Sequence, residues 1–218
     1  MSVPDSERSL RELLQHPAIW RGRSTARSDT LSTGFKSLDE GLPGAGWPRT
    51  GLIEVLTPRH GVGELRLLMP ALARLTQLTP PRWIVWIAPP FEPYAPALLA
   101  HGVAVERQLV VRTETALWAM EQALRSGACE VALAWAHRAP PRSLRRLQLA
   151  GERGHTLGVL FRELASARES SPAALRVQVE PIEQGVRLRL LKSRGGTRSP
   201  IELRWPESPP DEVDDATQ

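Results

Sequence analysis

Residues 57–65, Thr57-Pro-Arg-His-Gly-Val-Gly-Glu-Leu65, come nearest to a chemistry-bearing motif. They follow an apolar run, Leu52–Leu56, that reads as a strand. They precede a mostly apolar helical pattern that reaches about Leu78. Strand, glycine loop and helix is the arrangement that holds nucleotide phosphates, because backbone N–H groups and a helix N-terminus face the anion. A working loop of this kind reads G-x-x-x-x-G-K-[ST]. Its lysine neutralises the β- and γ-phosphates and its hydroxyl holds Mg²⁺. Here Gly63 is followed by Glu64 and Leu65. A carboxylate aimed at a triphosphate is repulsive, and Pro70 disturbs the start of the next helix. The loop Thr57, Pro58, Arg59, His60, Gly61, Gly63 and Glu64 is therefore expected to be degenerate and to hold no nucleotide or other cofactor.

The remaining candidates are contact residues. Arg142, Arg145, Arg146 and Arg153 share one helix at spacings that put them near one face. Such a face is either solvated or a contact for nucleic acid or an acidic partner. Lys192 and Arg194 form a basic pair at a hairpin turn. Trp20 and Trp47 lie in loops, where an aromatic can anchor a partner. Trp83, Trp86, Trp118 and Trp135 read as core. His60 reads as loop filler and Cys129 as a small buried residue. No His/Cys pairing supports a metal site.

The elements that must position these residues alternate. Strands are expected at Trp83–Ala88, Leu109–Arg112, Glu130–Ala136 and Thr156–Phe161. Helices are expected at Pro96–His101, Thr113–Ser126 and Pro140–Gly154. Continuous apolar strands between helices indicate a mainly parallel sheet covered on both faces. After Leu164 the pattern changes to alternation, at Leu175–Val179, Val186–Lys192 and Ile201–Trp205, with glycine in the connectors. That predicts an antiparallel C-terminal extension with one solvated face. Three regions follow: an N-terminal helix and linker over 1–30, an α/β core over 31–205, and an acidic tail over 206–218 that reads as disordered.

Composition narrows the function classes. The 218 residues are 41% hydrophobic, enough for a real core, which excludes global disorder. One cysteine excludes an internal disulfide. No apolar run approaches a membrane span and the N-terminus has no signal-peptide core, so a cytoplasmic chain with no membrane partner is expected. The formal charge of +4 conceals a division. Residues 206–218 carry five acids and no base, which leaves about +9 on the rest, and residues 142–204 hold +7 of it. All but two of the 28 basic residues are arginine, which suits bidentate contact to phosphate or carboxylate.

Thr33-Gly34-x3-Leu38-Asp39-x2-Leu42-x-Gly44, followed by Pro48-x2-Gly51-x-Ile53-Glu54, resembles the opening of the RecA recombinase core. Trp83–Gly102, Thr115–Gly127 with Glu130–Ala136, Arg189–Arg194 and Ile201–Trp205 resemble later pieces of that core in the same order. Leu67–Glu163 is also similar to the division inhibitor SulA. The combination resembles the ImuA family encoded in bacterial mutasome operons. This likeness implies a RecA-like α/β core that is not an enzyme. The Walker lysine position holds Glu64, the Walker B aspartate position holds Trp135, and the water-activating glutamate falls at Pro89 or Pro90. It further implies a scaffold in SOS-induced, error-prone translesion synthesis. The implied partners are an ImuB-like inactive Y-family polymerase and an error-prone replicative-type polymerase, with RecA as a further partner and a weak contact to DNA. The Lys192-x-Arg194 pair stands where RecA reaches a neighbour's nucleotide. Two alternatives stay open: a SulA-like inhibitor that binds FtsZ, and an active RecA-like ATPase.

Overall fold

In a computed structural model the described residues are 29–205, without 81, 194 and 198. A short antiparallel pair, β1 (Thr30–Leu31) and β2 (Trp47–Pro48), brackets helix α1 (Lys36–Gly41). Asp39 ties this front together: its carboxylate accepts the Ser32 hydroxyl at 2.6 Å and the Thr33 N–H at 2.8 Å. Trp47 is 1% exposed, so the loop tryptophan expected as a partner anchor is instead a core residue. The reason is that the β1–β2 pairing turns it inward among Leu31, Leu38 and Leu42.

The main sheet has eight strands. They are β3 (Gly51–Thr57), β4 (Trp83–Ile87), β5 (Gln108–Val111), β6 (Cys129–Trp135), β7 (Leu157–Glu163), β8 (Leu175–Ile182), β9 (Gly185–Lys192) and β10 (Ile201–Arg204). Their spatial order is β10-β9-β8-β3-β7-β6-β4-β5. From β8 to β5 every pair is parallel, and β8–β9–β10 is antiparallel. The expected mixed α/β architecture is present. β8 is the junction, parallel to β3 along Ile53–Leu56 and antiparallel to β9. Helices α2 (Met69–Thr76) and α3 (Ala95–Ala100) cover one face, and α4 (Ala116–Ser126) and α5 (Pro141–Arg153) the other.

The β3 strand is buried along its whole length, as a strand flanked by parallel neighbours and covered on both faces must be. Its close packing uses glycine: a Cβ on Gly151 of α5 would come within 2.7–2.9 Å of Gly51 backbone atoms. Helix α4 begins three residues later than its sequence pattern predicts. The Thr113 hydroxyl accepts the Thr115 N–H at 3.0 Å and holds that segment as a turn. Among the described residues, no helix is long and apolar enough to cross a membrane.

Trp86 and Trp135 are core residues, as expected, but Trp83 and Trp118 are 41% and 61% exposed. Both lie beside β5, the last strand on that side among the described residues.

Candidate functional site: a crevice along the strand ends

Parallel sheets place their binding crevices at the carboxyl ends of the strands, where successive connections leave on opposite faces. Here β4 continues toward α3 on one face and β6 toward α5 on the other. Two adjoining cavities open at this point, of about 660 and 360 Å³, and they share His60, Pro90 and Trp135.

The degenerate loop forms one wall. After β3 the chain turns through Gly61 (φ +77°) and Gly63 (φ +102°), a conformation glycine adopts without strain. A Cβ at Gly63 would also meet Trp205 at 3.0 Å and Val186 at 3.1 Å. The Glu64 side chain folds back into this turn and is 3% exposed. Its Oε1 accepts the Gly61 N–H and its Oε2 accepts the Val62 N–H, each at 2.8 Å. The backbone donors that would cradle a phosphate are therefore filled by the chain's own carboxylate. A phosphate entering there would lose those donors and face a buried negative charge. His60 is more than filler in place: it lines both cavities, and its Nδ1 is buried with no hydrogen-bond partner.

The floor is aromatic. Trp135 stacks on Phe161 at 4.5 Å between centroids and on Trp86 at 6.1 Å, its ring nearly parallel to both. An indole thus occupies the strand end at which the RecA likeness would place a metal-holding carboxylate. Among the described residues no group of three or more His, Cys, Asp or Glu could hold a metal. Several charged side chains of the larger cavity are paired with one another. His137 Nδ1 lies 2.8 Å from Glu163, and Arg146 holds Glu121 at 2.5 Å. Below them Arg162, 1% exposed, binds the fully buried Glu54 at 2.9 Å and reaches Glu169 at 2.8 Å. Arg176 Nε stands 2.8 Å from the other Glu54 oxygen. Burial alone would pull the Arg162 pKa down, but its bonds to Glu169 and Glu54 outweigh this and hold it above the ordinary value.

The outer lip of the smaller cavity is apolar and exposed. Phe91 is 74% exposed and Tyr94 70%. Phe91 and Tyr94 line the cavity beside Pro89, Pro90, Pro93 and Leu98. The sequence does not single out these residues, because Phe91 follows directly on the apolar strand pattern Trp83–Ala88. The available signal was the prolines at 89, 90, 93 and 96, which cannot continue that strand.

The other candidate contacts scatter. Arg142, Arg145 and Arg153 are exposed on α5, whereas Arg146 is tied to Glu121. Lys192 Nζ donates to the Ser171 carbonyl at 2.6 Å. Trp20 and Arg194 lie outside the described residues, as do the N-terminal segment and the acidic tail.

Comparison with known proteins sets this geometry in a family. The family profile "Cell division inhibitor SulA" matches residues 53–158. A cell division inhibitor SulA of Edwardsiella piscicida is 35% identical over 118 residues, which are 52% of this chain and 69% of that protein. The SulA of Photorhabdus laumondii subsp. laumondii is 29% identical over 114 residues, 51% of this chain and 63% of the relative. The crystal structure of SulA from Pseudomonas aeruginosa aligns at a TM-score of 0.43 with 26% identity, over 51% of this chain and 97% of that one. These matches overturn the expectation of a translesion-synthesis scaffold, since the relatives carry the name of a division inhibitor. That expectation leaned on the front, 33–54, and on the last strands. The profile match takes in neither the last strands nor any of the front before residue 53.

Proposed function

The chain belongs to the SulA family, and on that premise we propose that it inhibits cell division by docking onto the division protein FtsZ, without catalysing a reaction. The observation that carries the docking mode is the exposed lip formed by Phe91 and Tyr94. Large apolar side chains that stand out around a preformed apolar cleft mark a protein-binding surface. The filled loop is consistent with a role that does not depend on nucleotide, because Glu64 holds the turn in shape by itself.

We further read the fold as a RecA-like core. What supports this is the strand order, with the glycine-loop strand β3 inside the sheet and the antiparallel strands β9 and β10 at one end.

The test is expression of the chain in a dividing rod-shaped bacterium, paired with sedimentation of purified FtsZ polymers. Long filaments without septa and loss of polymer are expected. The variant Phe91→Glu with Tyr94→Glu should lose both effects while unfolding at the normal denaturant concentration. Each truncated anchor is expected to weaken binding about 30-fold, the scale of one hot-spot residue. Normal division with FtsZ assembly unaffected by equimolar chain would refute the proposal.

A further inference from the structure

Helix α5 buries Leu144, Leu147, Ala150 and Gly151. At 3.6 residues per turn, Arg142, Arg145, Leu149 and Arg153 fall within about 80° of arc on the opposite side. All four are exposed. The row runs roughly 16 Å along the helix axis. Arg138, also exposed, adds a further cation just ahead of the helix. Among the described residues, Arg138, Arg142, Arg145 and Arg153 have no ion-pair partner. Arg125 on α4 and Arg146 on α5 instead both hold Glu121. The acid beside the row, Glu152, accepts a hydrogen bond from the Gln148 amide at 2.7 Å.

Like charges three or four residues apart on a helix repel and weaken it. An exposed helix face ordinarily alternates acids with bases and so offsets the repulsion. This row leaves that task to an outside anion. We propose that it binds the phosphate backbone of a nucleic acid, through charge and not through base contacts. Arginine presents a planar fork that bonds phosphate oxygens two at a time. A duplex carries one charge per about 1.7 Å of its axis, so a row of this length meets several phosphates. No aromatic side chain stands in the row to stack on a base, which leaves sequence unread.

Two other anionic occupants fit the row less well. A membrane surface calls for an apolar face beside the basic one, and the apolar face of α5 is buried in the core. An acidic protein calls for a desolvated apolar anchor, and the row offers only Leu149, 37% exposed. The wider charge agrees with a polyanion: residues 142–204, which start with this helix, hold 13 bases against six acids.

Fluorescence anisotropy of a labelled duplex of about 20 base pairs, titrated with the full chain at 50 to 200 mM KCl, is the test. Three or four phosphate contacts predict a log–log salt slope of about −2.7 to −3.6, which is a loss of affinity of about 40- to 150-fold over that range. Arg142→Ala, Arg145→Ala and Arg153→Ala should each reduce the slope by about 0.9. The triple alanine variant should lose binding with its circular dichroism and urea midpoint unchanged. The triple Arg→Lys variant keeps the charge and should keep the slope. Arg187→Ala, at a cation already paired with Glu202 at 2.7 Å, should change nothing. Phosphatidylserine vesicles and polyglutamate should each bind more weakly than the duplex at equal charge concentration. Absence of binding at 50 mM KCl overturns the proposal. So does a slope that survives the triple alanine variant, and so do vesicles or polyglutamate held as tightly as the duplex. This contact and the division reading stand or fall separately: the triple alanine variant should still produce filaments, and Phe91→Glu with Tyr94→Glu should still bind the duplex.

Discussion

Replacing Glu54 by glutamine should cost the fold more than any surface change. The Glu54 carboxylate is fully buried and stands between two guanidiniums, Arg162 at 2.9 Å and Arg176 at 2.8 Å, themselves 1% and 6% exposed. Glutamine keeps the volume and removes the charge. Arg162 would retain Glu169, and Arg176 would retain the carbonyls of Ser166, Ala167 and Glu169. Two cations would still be buried across three adjacent strands with one half-exposed acid between them. Breaking a buried pair by removing one partner costs about 3–5 kcal/mol. A domain of this size loses roughly 2–4 °C of melting temperature per kcal/mol, so a fall of about 10–15 °C is expected. Urea unfolding followed by circular dichroism gives the free energy. The variant Glu54→Leu, Arg162→Met, Arg176→Met removes all three charges and should recover most of the loss, because replacing a whole buried ion cluster by apolar groups is often neutral. A loss below about 1 kcal/mol for Glu54→Gln would refute this account of the network.

Two further outcomes follow from the same contacts. Glu64→Ala should lower the unfolding free energy by about 1–2 kcal/mol by leaving the Gly61 and Val62 N–H groups without their acceptor. Glu64→Gln, which keeps one acceptor oxygen, should lose about half as much, and urea midpoints of the two variants check the ratio. Burial pushes the Cys129 thiol above its ordinary value, against weaker opposing effects from Thr156 and Arg82. A raised folded-state value means that its contribution to stability is complete below the unfolded thiol's pKa and is lost as pH rises through the folded one. The urea midpoint should therefore fall from about pH 8.5 upward, with a shallower fall in Cys129→Ala.

The α/β class, the parallel core and the change to an antiparallel end were legible because period and connector composition encode them locally. That an acid stands where a phosphate-binding loop needs a lysine was legible as well, from Glu64 alone. What Glu64 does instead was not, since nothing in the order Gly61-Val-Gly-Glu64 says that the side chain turns back onto its own loop. The misplaced tryptophans share one cause. Trp47 sits in a proline- and glycine-rich stretch and reads as exposed, yet a two-residue pairing turns it inward. Trp83 and Trp118 carry core-like neighbours, yet β5 is the last strand on that side among the described residues and both are exposed. Strand order decides both cases, and strand order is a long-range property. The Glu54–Arg162–Arg176 cluster was hidden for the same reason, because its members stand on three strands adjacent only in the folded sheet.

Function was the least legible, and the physical reason lies in how the crevice is filled. A nucleotide site in a sheet of this kind needs backbone donors at the loop, a carboxylate at a strand end for the metal, and cationic groups left over for phosphate. This chain keeps the donors and gives them Glu64, puts the stacked indole of Trp135 at the strand end, and pairs Arg146 and Arg162 with Glu121, Glu54 and Glu169. Each replacement satisfies locally a group that a ligand would otherwise satisfy. The backbone can therefore hold its shape without a nucleotide. What protrudes beside the crevice is the Phe91–Tyr94 lip, which follows no motif that a sequence displays. On the proposed reading, an inhibitor that needs no turnover requires only such a frame with an exposed apolar face. The Glu64→Ala variant separates frame from face: it should loosen the loop and still leave the Phe91 lip able to bind.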